Sequence, residues 1–215
     1  MASEQTAIMK RLQLSIVSDR GAGMSNIKHE LDKIKECISA TDFITNMGKS
    51  NELGIHVFCY DPADELVVRD YISRLTATHS DDYRIIEYDL YKIFLEILED
   101  KRILDKIEGM EEKRGRKFVL DHLHRTIGAE KEKQSYYEYL SRMDYEPHQL
   151  GDVVFLTGIG KVYPFVRAHI ILNAMQKMFT DVPILMFYPG SFNQQDLILF
   201  NKIHDGNYYR AFNLL

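Results

Sequence analysis

Apolar positions along this chain recur with two periods. Short, nearly unbroken apolar runs stand at Ile55–Tyr60, Tyr83–Tyr88, Asp152–Thr157 and Ile184–Tyr188. They are rich in β-branched and aromatic residues and are closed by turn formers. Each therefore predicts a strand of a parallel sheet that helices cover on both faces. Elsewhere the apolar residues space out to the helical repeat. Ile8, Leu12 and Ile16 share one face over residues 3–18. Ile27, Leu31, Ile34 and Ile38 fall at i, i+4, i+7 and i+11 of a second helix, capped by Ser25 or Asn26. The glycines of Asp19–Gly23 separate the two. Residues 1–45 thus predict a helical hairpin packed against a sheet, with a partner-binding face as the alternative.

The same spacing predicts a helix from Ala63 to about Thr78 that buries Leu66, Val67, Ile72 and Leu75. Another runs from Leu90 to Glu108 on a stripe of Leu90, Ile93, Phe94, Ile97, Leu98 and Leu104. Leu120, Leu123 and Ile127 mark a third. Residues 100–150 read as a helical insertion between the second and third strands. The clearest unit is Gly151–Gly190, which reads strand, glycine loop, helix, strand. Its helix follows Pro164, a residue suited to a first helical turn. It carries Phe165, Val166, His169, Leu172, Met175, Gln176 and Phe179 at helical spacing, and Asp181–Pro183 ends it. Asp196–Ile203 predicts a short helix and Asn207–Leu215 a last strand. Parallel strands joined by crossover helices give an α/β fold in one domain, residues 1–215. Its centre is a mostly parallel sheet of about five strands with helices on both faces, Rossmann-like in plan.

Composition narrows the function more than the fold. The chain has 215 residues, 45% hydrophobic and 27% charged, enough to bury a full core without staples. A net charge of −5 argues against a general nucleic-acid binder. The dense basic stretch, Lys113–Lys117, follows Glu111 and Glu112 and reads as a solvated turn between helices, with a phosphate contact as the alternative. Cys37 and Cys59 fit neither a zinc spacing nor a disulfide framework. No run approaches the roughly 20 apolar residues of a membrane span, so a cytoplasmic protein is expected.

Candidate chemistry gathers where strands end. Asp61 and Asp89 both stand just past a strand, where open α/β sheets place ligands. Each suits Mg²⁺ or a ribose, or the cap of the following helix. Gly158-Ile-Gly160-Lys161 has the context of a phosphate loop, between strand and helix. It lacks the first Walker glycine, replaced by Phe155, and the metal-binding hydroxyl, replaced by Val162. Tyr163 stands where the third glycine of a dinucleotide fingerprint belongs. Gly48-Lys49-Ser50 fails likewise, with Phe43 at the required glycine. Arg167 and His169 join Lys161 as candidate anion ligands, and a structural pair with Asp205 or Glu87 explains Arg167 as well. His122 and His124 lie two apart on a predicted helix and diverge, which sets metal binding aside. No complete catalytic motif and no cofactor site emerges. The tyrosines at Tyr136, Tyr137 and Tyr139, and those at Tyr208 and Tyr209 beside Arg210, are candidate interface residues, because a tyrosine ring buries area while its hydroxyl stays wet; for the 136–145 cluster a packed core edge is the more usual explanation.

Several short motifs occur in a fixed order: Phe155–Gly160, Tyr163–His169, Leu172-Asn173, Asp181–Pro183, Phe187–Gly190, Leu199-Phe200 and Asn207–Phe212. As a set they resemble the BrxB family, a small component of BREX bacteriophage-defence systems. The likeness is dense over residues 150–215. It implies an α/β core like a degenerate P-loop sheet and a role inside a multiprotein complex. A PglZ-type protein of the alkaline phosphatase superfamily, a DNA methyltransferase and a large ATPase are its implied neighbours. The family brings no catalytic residues to carry over. The expectation is a non-enzymatic adaptor without a cofactor, direct sequence-specific DNA binding or membrane contact. The alternative is a nucleotide- or metal-phosphate-binding switch, or a nuclease-like enzyme, using Asp61, Asp89, Gly158, Gly160, Lys161 and Arg167.

Overall fold

The computed structural model describes residues 26–40, 43, 55–128, 137–143, 148–168, 170–172, 175, 179, 182–193, 196–204 and 212–214. Four parallel strands, β1 (Ile55–Tyr60), β2 (Arg84–Asp89), β3 (Asp152–Thr157) and β4 (Ile184–Phe192), form its centre. A short parallel strand near the C-terminus, Phe212–Asn213, pairs with the outer side of β1. The order across the sheet is β2-β3-β4-β1 and then that last strand. The α/β reading with a mostly parallel sheet therefore holds.

Connection directions explain why both faces are covered. The step from β1 to β2 crosses the sheet one way, and the steps to β3 and β4 return. Right-handed crossovers then put the intervening helices on opposite faces. On one face lie α1 (Asn26–Ser39) and α2 (Glu65–Ala77), packed on Phe58, Phe155, Leu185 and Phe187. On the other lie α3 (Leu90–Asp100), α4 (Ile107–Thr126) and helical residues 168, 170–172 and 175, packed on Val57, Val154, Leu156 and Met186. Alternate residues of β3 and β4 feed alternate cores, which is why those runs are apolar throughout.

The predicted face of α1 is entirely buried, through Ile27, Leu31, Ile34 and Ile38. Residues 3–18 lie outside the described residues. In α2 the inward face differs from the expected one. Val68, Ile72 and Leu75 are buried, Val67 is half-buried and Leu66 is 74% exposed. A 3-10 turn over Pro62–Asp64 precedes α2 and sets its rotation. The predicted 90–108 helix stops at Asp100, because Arg102 takes a left-handed turn (φ 54°). Gly115, at φ 78°, breaks α4 inside the basic stretch, as expected of a turn there.

Three further corrections fall in the C-terminal third. Strand β4 runs through Pro189-Gly190 to Phe192 instead of stopping there. The expected 196–203 helix is a hairpin of β5 (Leu197–Leu199) and β6 (Ile203–His204), laid antiparallel on β4. Its turn uses left-handed Phe200 and Asn201. The Tyr163–Pro164 bond is cis, and the helix begins beyond Arg167 rather than at Pro164. The Gly158–Lys161 loop instead closes one short helical turn, α5 (Tyr137–Leu140) having come before it and α6 being Ile159–Val162.

Candidate functional site

All parallel strands deliver their carboxyl ends to one edge, so the candidate residues face the same side of the molecule. The strand order then sorts them. Asp89 ends β2 and Gly158 follows β3, its immediate neighbour. Asp61 follows β1, three strands away, or about 14 Å at about 4.8 Å per strand. It accepts the Ala63 N–H at 2.8 Å and caps the 3-10 turn.

Asp89 is the hub of the edge. Its Oδ1 accepts the Tyr91 and Lys92 backbone N–H groups at 2.9 and 3.2 Å, capping α3. Lys161 Nζ donates to its Oδ2 at 2.7 Å. Both side chains are mostly buried, at 23% and 20% exposure. The Lys161 ammonium also stands 5.6 Å from the centroid of the Tyr91 ring. Thr157, the register partner of Asp89 on β3, donates from Oγ1 to Glu87 at 2.8 Å.

The glycines of this turn face protein. A Cβ on Gly158 (φ 76°) would overlap the Asp89 carboxylate. One on Gly160 would come within 2.8 Å of Pro189 Cγ and 3.0 Å of Phe200 Cε1. The turn needs glycine because a carboxylate and the β4–β5 corner press against it. Asp89 packs against Gly158, and the lysine of the turn is engaged by its carboxylate.

Beyond the turn lies a cavity of about 70 Å³, lined by residues including Tyr163, Val166, Arg167, Tyr188, Leu199 and His204. Nucleotide-sized ligands need about 300 Å³ or more. Arg167 is exposed, and among the described residues no carboxylate pairs with it. Of the two carboxylates offered to Arg167, Glu87 is engaged by Thr157 and Asp205 lies outside the described residues. His204 Nδ1 is 3.0 Å from Asp196. His169 lies outside the described residues. A larger open groove of about 510 Å³ runs between α1 and α2 beside Leu31, Leu66 and Tyr71. Sequence spacing missed it because Leu66 reads as an inward residue.

The tyrosine candidates divide. Tyr139 is fully buried, and its hydroxyl donates to the Leu90 carbonyl at 3.2 Å. It belongs to the core and offers no surface. Tyr88 donates to the Met143 carbonyl at 2.7 Å, so the 137–143 segment is tied to the sheet from both directions. Exposed pairs, Lys101–Glu138 and Arg142–Asp100, hold its rim to α3. Tyr137 contributes backbone to α5. Tyr136, Tyr208, Tyr209 and Arg210 lie outside the described residues.

The two histidines of α4 go to different neighbours. His122 stacks on Phe118, and His124 Nε2 contacts the Pro164 carbonyl at 3.2 Å. Among the described residues no three His, Cys, Asp or Glu side chains cluster to hold a metal, and no helix is long and apolar enough to cross a membrane. Burial pushes the Cys59 thiol up to about 12 and raises that of Cys37.

Comparison with known proteins adds what geometry alone does not. The model of the family BrxB, described as BREX protein BrxB, matches residues 86–214. A BREX protein BrxB of Bacillus cereus (strain H3081.97) is 39% identical over 194 residues, 89% of this chain and 99% of that protein. One of Escherichia coli O9:H4 (strain HS) is 27% identical over 189 residues, 88% of this chain and 92% of that protein. No solved structure matches the chain significantly.

Proposed function

The chain belongs to the BrxB family and is a BREX component, consistent with phage defence, and from that premise we propose that it is a non-enzymatic adaptor. Its partner in this reading is the PglZ-type protein, with the methyltransferase and the large ATPase as further neighbours. It works in the cytoplasm and holds no cofactor of its own.

One observation carries the reading. At the carboxyl ends of β2 and β3, part of the edge where an open α/β fold binds its ligand, the described residues pack on one another. Asp89 occupies the glycine turn and engages Lys161, while Pro189 and Phe200 close over Gly160. A carboxylate packed against the glycine turn repels a phosphate brought there, and a lysine already paired with it has little left to give. The fold so arranged supports a body that presents surfaces.

The switch or nuclease-like alternative draws on the meeting of Asp89 and Lys161 at that same edge. Melting the chain with and without ATP–Mg²⁺ separates the two. A ligand bound only by the folded state raises the melting temperature. The adaptor reading predicts the same melting temperature in both. A rise that Lys161→Met abolishes favours the switch.

A further inference from the structure

Four of the motifs that carry the family resemblance, spread over some forty positions of sequence, contribute residues to one place in the fold. Ile159 comes from the turn after β3, and Tyr163, Val166 and Arg167 from the stretch that follows. Tyr188 comes from β4 and Leu199 from β5. All of them line the cavity of about 70 Å³ beside the carboxyl edge. The Asp89–Lys161 pair accounts for the glycine turn, but nothing in the packing of the core requires an arginine at position 167.

The cavity's size and chemistry limit what it takes. It is several times too small for a nucleotide and large enough for the end of one side chain. Its walls mix apolar and aromatic side chains with His204, and its cation is the exposed Arg167 guanidinium, whose planar fork matches a carboxylate. Among the described residues the neighbouring charges are matched, His204 with Asp196 and Lys161 with Asp89. A cation beside a small apolar hollow is how interfaces anchor a single residue.

We propose that this cavity is an anchor site for an acidic residue of a partner protein, its carboxylate held by Arg167 and its methylenes by Tyr163, Val166 and Leu199. The proposal rests on the adaptor reading and adds the chemistry of the contact.

Two arms test it. In the first, the chain alone is melted with N-acetyl-glutamate or with inorganic phosphate, as wild type, Arg167→Ala and Arg167→Lys. The expected result is a rise of about 2 °C or more with the carboxylate probe, absent in Arg167→Ala and partial in Arg167→Lys. No rise, or one that Arg167→Ala retains, overturns the proposal. Stabilisation by phosphate but not by N-acetyl-glutamate overturns the acidic anchor in favour of a phosphate. In the second arm, tagged wild type, Arg167→Ala and Arg167→Glu are co-expressed with the system's other proteins. Arg167→Ala is expected to retain about tenfold less partner while melting normally without a probe. Equal retention by all three overturns the anchor and leaves the adaptor reading standing. A wild type that retains no partner defeats the adaptor reading and the docking together, while the first arm still reads the cavity's chemistry separately.

Discussion

Replacing Asp89 tests whether the carboxyl edge is a structural joint or a vacant ligand site. Asp89→Ala removes the cap of α3, worth about 1 kcal/mol and at most about 2. It also leaves Lys161 without its carboxylate. That pair is neither exposed nor fully buried, so its loss falls between about 1 kcal/mol for surface pairs and about 3–5 for buried ones. A sum near 3 kcal/mol lowers the melting temperature of a chain this size by about 6–12 °C. Lys161→Met keeps the cap and loses only the pair, so it costs about 1–2 kcal/mol. Differential scanning fluorimetry of both variants and of their double mutant reads these terms. The double mutant should fall short of the sum, because the pair is counted in both singles. Groups held in place for a ligand commonly destabilise the free protein, and their removal stabilises it. A higher melting temperature in Asp89→Ala would refute the structural assignment. Equal losses in Asp89→Ala and Lys161→Met would remove the cap from it.

Other expectations follow from single contacts. Asp152 is 2% exposed and joins β2 to β3 through a two-point pair with Arg84, at 2.8 and 2.7 Å. Burial opposes its ionisation, but the hydrogen bonds from Arg84 and the Gln149 N–H, with the Arg84 charge, outweigh it and hold the carboxyl below its usual value. With the folded pKa depressed, this stabilisation is present above the unfolded value of about 3.9 and is lost as pH falls through the folded one. Melting curves of wild type should therefore drop steeply below about pH 4. Asp152→Asn should start lower at pH 7 and drop less. Cys59, at about 12, holds about one thiolate in ten thousand at pH 8, so iodoacetamide should modify it far more slowly in the folded than in the denatured chain. Tyr139→Phe strips one buried hydrogen bond and should cost about 1 kcal/mol in chemical denaturation, whereas Tyr139→Ala should cost about 3–5 kcal/mol through its cavity. Partner loss seen only in Tyr139→Ala would therefore report unfolding.

What the sequence made legible were features fixed by local pattern. The α1 face, the four central strands and the capping roles of Asp61 and Asp89 could be read because burial period and turn chemistry are local properties. The departures are places where distant contacts decide. Leu197, Leu199 and Phe200 fit a helical turn as well as an alternating strand, and pairing with Gly190 and Phe192 on β4 selects the strand. Pro189-Gly190 reads as a stop, yet β4 continues, and its Gly190 lies so close to the Ile198 carbonyl that a Cβ would overlap it. Val68 replaces Leu66 inside because the Pro62–Asp64 turn sets the rotation of α2. Clustered tyrosines suggested either a surface or a packed core edge, and Tyr139 is the latter, fully buried with its hydroxyl donating to the Leu90 carbonyl at the start of α3. The candidate site was half visible. Spacing identified Gly158, Gly160 and Lys161, while the Asp89 contact that closes their turn depends on β2 and β3 lying side by side.

The most direct test of the adaptor account is co-expression of the tagged chain with the PglZ-type protein, followed by size-exclusion chromatography with light scattering. The account predicts one stoichiometric peak containing both proteins. Elution of the chain by itself, at the mass of a free protein while its partner is present and folded, would contradict it.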